Sequence, residues 1–158
     1  MGCDIHICTE VKETVKGKEK WINVDNWRVN KSADEYEDEK TYILNPIYKD
    51  RNYELFSFLA NVRNYYGVKS FGFKRGAPKD ASKETKEEIK SWDFDGHSHG
   101  FCTLKELKDA VREAKVNCFE KLIEAIEERK RETFWIIAKE RDDLSHDGDI
   151  RIVFWFDN

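Results

Sequence analysis

The chain has 158 residues, with 28 Lys and Arg against 32 Asp and Glu and a net charge of −4, so no excess of positive charge draws it onto a nucleic-acid backbone. This length makes one domain, 1–158, able to bury about two thirds of its unfolded surface without a disulfide, metal or partner as a condition of stability. No run is long and apolar enough for a membrane span, no apolar leader core precedes the first cysteine, and Cys3, Cys8, Cys102 and Cys118 form no CxxC pair, which together imply reduced thiols in a cytoplasm.

Cys3 to Val11 alternates, with Cys3, Ile5 and Ile7 on one side and Asp4, His6, Cys8 and Glu10 on the other, the pattern of a strand with one buried face. Trp21 to Val29 is a second strand-like run, reached through Lys16-Gly17-Lys18, so a hairpin is expected. Residues 30–42 are polar and aperiodic and predict a surface loop. Helical periodicity from Asn52 to about Arg63 gathers Leu55, Phe56, Phe58, Leu59 and Val62 on one face.

Glycines 67, 72 and 76 with Pro78 mark an irregular stretch, after which Ser82 caps an exposed helix ending near Trp92. A loop is expected over 93–102. Thr103-Leu104-Lys105-Glu106 and Asn117-Cys118-Phe119-Glu120 each set a capping side chain three residues before a Glu and start two helices. The first is expected to bury Leu104, Leu107, Val111 and Ala114, the second Phe119, Leu122, Ile123 and Ile126. Asp147-Gly148-Asp149 then turns the chain into Ile150 to Phe156, an apolar strand for the inside of a sheet. The expected fold class is α+β: a small sheet from the N-terminal hairpin and the buried C-terminal strand, packed against three to five helices.

Asp4 and His6 leave one face of a strand with Cα atoms about 6.5 Å apart, a spacing that suits two ligands of one ion. Asp93-Phe94-Asp95-Gly96-His97-Ser98-His99 repeats the device with His97 and His99. If the fold joins the clusters, Asp4, His6, His97 and His99 form a mixed site for a divalent metal, zinc or another transition ion, that activates a water. Asp93 or Asp95 is then the general base or the group orienting an imidazole.

Arg51, Arg63 and Arg75, at helix ends or glycine turns, suit a bidentate grip on phosphate, and Asn52 at a helix start adds backbone donors. The ligand this implies is a small phosphate-bearing molecule such as a nucleotide, although no GxGxxG or GxxxxGK[ST] loop is present. The bland readings are hydrogen-bonded structural roles for Asp4, His6, His97 and His99, surface ion pairs for the arginines, and an exposed turn for His146. Cys3 as a nucleophile conflicts with its apolar neighbours, and Cys8 reads as packing before it reads as a soft ligand. Asp93-Phe94-Asp95-Gly96 lacks the Glu that a calcium loop requires.

The stretches Met1-Gly2-Cys3-Asp4-Ile5-His6, Arg51-Asn52-Tyr53-Glu54-Leu55-Phe56, Arg75-Gly76-Ala77-Pro78, Asp95-Gly96-His97-Ser98-His99 and Asp149 to Asn158 together resemble a family of small proteins met mainly in phages and prophages. The resemblance implies a phage-type accessory protein working in a bacterial host cytoplasm, and brings with it no reaction, cofactor or catalytic residue. Two functions are therefore expected as alternatives. One is a metal-dependent hydrolase or binder of a phosphate-bearing ligand; the other is a non-enzymatic module that binds and modulates a host protein.

Overall fold

The computed structural model describes residues 2–32, 40–137 and 147–158, with the backbone alone for 134–137. The alternating N-terminal segment forms β1 (Ile5–Val15). Lys16 and Gly17, at φ 51° and 77°, make the tight turn into its antiparallel partner β2 (Lys18–Asn23). A ribbon follows, β3 (Asn26–Val29) paired antiparallel with β4 (Tyr42–Asn45). Helices α1 (Tyr53–Ala60), α2 (Lys83–Trp92), α3 (Leu104–Ala114) and α4 (Glu120–Ile137) alternate with β5 (His97–Thr103) and the last strand, β6 (Ile150–Phe156). The main sheet has the order β2-β1-β6-β5 and is antiparallel throughout. The fold is α+β, with the expected hairpin at one end of the chain and the expected apolar strand at the other.

Every residue of β6 is buried, because both faces of the sheet are covered. On one face Ile5, Ile7, Val11, Ile152, Phe154 and Phe156 pack against Leu55, Phe56 and Leu59 of α1, Leu104 and Leu107 of α3, and Leu122 and Ile126 of α4. On the other face Cys8, Val153 and Trp155 meet Leu44 of β4, Ile89 and Trp92 of α2, and Phe101. Side chains such as these are worth about 1.5–3 kcal/mol each when fully withdrawn from water.

The second face also holds a buried ion pair. Arg151 donates from Nε to Oε1 of Glu10 at 2.9 Å and from Nη1 to Asp80 at 3.0 Å, and its guanidinium lies 4.0 Å from the Trp21 ring centroid. Glu10 Oε2 accepts the Ser82 N–H at 2.7 Å, and the Ser82 hydroxyl in turn caps α2 by accepting from the Thr85 N–H. The pair thereby fastens the start of α2 to the sheet.

Several boundaries differ from the sequence reading. The run Trp21–Val29 is broken, because Asn23 and Asp25 hydrogen-bond to each other through side chain and backbone and turn the chain out of β2 into the separate ribbon. Tyr42, placed in a loop over 30–42, begins β4; residues 33–39 of that loop lie outside the described residues. The segment 93–102 is not a loop but a 3-10 turn (Asp93–Asp95) leading into β5, drawn into the sheet by pairing with β6. Helix α1 stops at Ala60, where Asn61 takes a left-handed cap conformation, and α4 starts at Glu120 after a turn in which the Glu120 N–H bonds the Asn117 carbonyl. Ala114, expected in the core, is exposed at the last turn of α3, and Val111 and Ile123 are half-buried.

Candidate functional site

Strand register decides what stands beside the Asp4 and His6 pair. In the sheet Ile5 is opposite Phe156 and His6 opposite Trp155, while His97, on the far side of β6, is also opposite Phe156. The two Asp/His clusters therefore converge at one end of the sheet, with one strand between them. Neighbouring strands are about 4.8 Å apart, so β1 and β5 are separated by about 10 Å.

The Asp4 carboxylate does not face His97 or His99 as an open ligand. It accepts two hydrogen bonds from Arg51, Nε to Oδ1 at 2.8 Å and Nη2 to Oδ2 at 2.9 Å. Arg51 lies against Gly2, where a side chain would collide with its guanidinium. His6 is engaged as well. Its Nε2 lies 3.1 Å from Oδ2 of Asp157, its ring centroid is 3.8 Å from that of Trp92, and Trp155 stacks at 5.8 Å on a 26° interplanar angle. Asp157 Oδ1 accepts the Asp4 N–H at 3.0 Å, and the Asp157 N–H is donated back to the Asp4 carbonyl at 3.1 Å. This reciprocal clasp ties the start of β1 to the end of β6.

On the opposite edge, a bulge between His97 and Gly100, with Ser98 at φ 55°, sends His97 and His99 in different directions. His97 Nδ1 is 3.0 Å from the Ser98 hydroxyl, and its Nε2 is enclosed without a hydrogen-bond partner. His99 stacks on Trp155 at 6.3 Å and 18°. Burial, and then the neighbouring His97, push its pKa below the ordinary histidine value, which keeps the imidazole neutral. Trp155, on the intervening strand, contacts both His6 and His99 with its ring, and its Nε1 is also enclosed without a partner. Among the described residues no group of three or more His, Cys, Asp and Glu side chains is placed to hold one metal ion. Asp4, His6, His97 and His99 share a neighbourhood, in which Asp4 is paired with Arg51 and the Trp155 ring contacts both His6 and His99.

The other candidate residues divide. Asn52 accepts from the Leu55 N–H as the α1 cap and donates from Nδ2 to the Cys118 carbonyl at 3.4 Å. Arg75 pairs with Glu106 and covers the rings of Phe73 and Phe101 at 5.3 and 4.7 Å. Arg63 donates to the Tyr65 hydroxyl at 3.3 Å and also interacts with Cys3. Arg51 is thus engaged with Asp4, Arg63 with Tyr65 and Cys3, and Arg75 with Glu106. Asp93 and Asp95 are exposed, and among the described residues neither has an ion-pair or hydrogen-bond partner; between them Phe94 is 95% exposed. Burial pushes the thiols of Cys3, Cys8 and Cys102 up, which leaves them protonated and unreactive. His146 lies outside the described residues.

Asp157, Trp92 and Trp155 belong to this constellation and were missed in the sequence. Asp157 follows a buried strand and shares no short motif with His6, so only its antiparallel register could have found it. No family model, no curated protein and no solved structure matches the chain.

Proposed function

We propose that the protein is a non-enzymatic accessory module that binds and modulates another protein, with the His6 end of the sheet as its contact face. The observation that carries this reading is Phe94, 95% exposed on a 3-10 turn between two unpaired carboxylates. Tyr65 and Tyr66, at 74% and 59% exposure, add to the aromatic surface of the protein. Exposed aromatic side chains with flanking polar groups are the anchors of protein interfaces. Two residues before Phe94, Trp92 lies on His6, and the chemically capable groups engage one another: Asp4 with Arg51, His6 with Asp157 and two indoles. That arrangement suits a scaffold for the surface better than an open reaction centre. The resemblance to phage-borne proteins supports a bacterial host protein as the target.

A photo-crosslinking amino acid at position 94 tests this in bacterial extract. The captured protein, once purified, should bind the full chain, and Phe94→Ser should weaken that binding by about tenfold or more. No binding by any purified captured protein, or equal binding by Phe94→Ser, would overturn the reading.

A second reading, a metal-dependent hydrolase of a phosphate-bearing molecule such as a nucleotide, is favoured by one observation. His97 Nε2 is enclosed without a partner beside a neutral His99. Zinc titration of protein stripped by chelator, compared with His97→Ala and His99→Ala, tests it. Binding that both variants abolish, followed by zinc-dependent phosphate release from a nucleotide, is its required outcome.

A further inference from the structure

The ribbon β3–β4 stands beside helix α2, and the two elements share the second core at one end. There Leu44, Ile89 and Trp92 join the second core. Towards the start of α2 they part into a groove of about 530 Å³ lined by Trp27, Thr41 and Tyr42 on the ribbon side. Trp27 is opposite Leu44 and Val29 is opposite Tyr42, so these four side chains share one ribbon face; Leu44 packs into the second core, Trp27 is half-buried and Tyr42 is 57% exposed. The α2 side is a carboxylate wall of Glu84, Glu87 and Glu88, spaced so that one helix face presents all three.

One end of this wall already holds a cation. Lys40 places Nζ 2.7 Å from Glu88 Oε2 and 2.6 Å from the Ser91 hydroxyl, a seated ammonium contributed by the chain itself. The rest of the wall is open: Glu87 has only the exposed Lys83 at 3.8 Å, and among the described residues Glu84 has no ion-pair or hydrogen-bond partner. Among the described residues no basic side chain other than Lys40 lines the groove.

We infer that this groove receives a basic, extended segment of a partner protein, with an Arg or Lys side chain stacked on Trp27 and Tyr42 and paired with Glu84 and Glu87. An aromatic floor beside carboxylates suits a cation twice over. The ring faces attract it through their quadrupole, and the carboxylates pair with it, bidentately when it is a guanidinium. The volume lies within the range of ligand clefts and holds a few side chains rather than a folded domain. The groove uses residues separate from Phe94, so it stands or falls independently of that contact face.

The test is fluorescence anisotropy of the full chain with a labelled nonapeptide of alternating Arg and Leu, at an ionic strength of about 0.15 M, where weak surface attraction is screened. Peptides of alternating Ser and Leu, and of Glu and Leu, are the comparison probes. The Arg peptide should bind and the other two should not. The double variant Glu84→Gln with Glu87→Gln, and separately Tyr42→Ser, should each weaken binding by about tenfold or more. Glu113→Gln with Glu124→Gln changes the net charge equally, at exposed positions outside the groove, and should leave binding intact. The inference is overturned by failure of the Arg peptide to bind, by equal binding of the Ser peptide, or by equal losses in the two double variants. Dimerisation by sedimentation that the Glu84 and Glu87 variant abolishes would also overturn it, assigning the groove to a second copy of the chain.

Discussion

His6 and Asp157 join the beginning of β1 to the end of β6, with Nε2 and Oδ2 3.1 Å apart and both side chains 21% exposed. The bond is backed by the Trp92 and Trp155 rings on the imidazole and by the Asp4 N–H on the second carboxylate oxygen. His6→Ala removes the stacking and strands one oxygen of Asp157, so it should destabilise the protein by about 1–3 kcal/mol. In thermal melts that is a drop of about 2–12 °C for a chain of this size. Asp157→Asn keeps an acceptor for the Asp4 N–H and should cost less. A melting temperature unmoved by His6→Ala would show that the clasp is not structural.

The Glu10 and Arg151 pair makes the sharper prediction, because Glu10 is 0% and the Arg151 side chain 4% exposed. Arg151→Met leaves the Glu10 charge buried with only the Ser82 N–H and should cost about 3–5 kcal/mol, while Glu10→Gln leaves Arg151 its pair with Asp80 and should cost somewhat less. Glu10→Leu combined with Arg151→Met should cost less than either single change. Urea denaturation of the three variants gives the comparison, and additive losses would contradict it.

Asp25 sits at the turn from β2 into β3, accepting from the Thr9 N–H and from Asn23 at 2.8 Å each, while Oδ1 is enclosed without a partner. Burial raises its pKa to about 6, against the lowering effect of Thr9, Asn23 and Arg129. The unfolded value is about 3.9. Between those values the folded state binds more protons, so this group's contribution to stability is present below about pH 3.9 and is lost as pH rises through about 6. The loss amounts to about 3 kcal/mol at pH 8. Asp25→Asn removes the titration, so its stability relative to the wild type should improve between pH 4.5 and pH 8, read by denaturant unfolding at both values.

Gly100 has no room for a side chain. A Cβ there would collide with the Phe73 carbonyl oxygen and the Phe154 ring, in the place where Phe101 donates its N–H to that same carbonyl at 3.2 Å. Gly100→Ala should therefore destabilise by about 1–3 kcal/mol or more. Gly148→Ala meets nothing within 4 Å and is the matched control, expected to stay within about 0.5 kcal/mol of the wild type. Equal unfolding midpoints for the two variants would refute the packing account.

Local signals carried most of the element types. Asn52, Ser82 and Thr103 each cap a helix as their side chains imply, and Thr103 with Glu106 completes a capping box. The apolar run Ile152 to Phe156 of β6 foretold burial on both sides of that strand. The companion inference failed at β1, where the side bearing Asp4, His6, Cys8 and Glu10 was read as the unburied face, although Cys8 itself was read as a packing residue. Cys8 and Glu10 are 0% exposed beneath α2 and the ribbon. Polarity alone cannot distinguish a solvated face from one whose charges are paired inside.

The Asp4 and His6 pair and the His97 and His99 pair were legible as clusters because their spacing is local. That they stand at one end of one sheet was decided by β6, whose register puts Trp155 beside His6 and Phe156 beside His97. The partners Arg51 and Asp157 were decided in the same way. Hydrogen-bond partners of a strand residue come from whichever chain segment pairs or packs beside it, and those segments are far away in sequence. The residues themselves determined the elements, their caps and the apolar strand; tertiary structure alone decided that Asp4 and His6 are held by Arg51 and Asp157, because long-range register is set by burial of whole faces and not by any short motif.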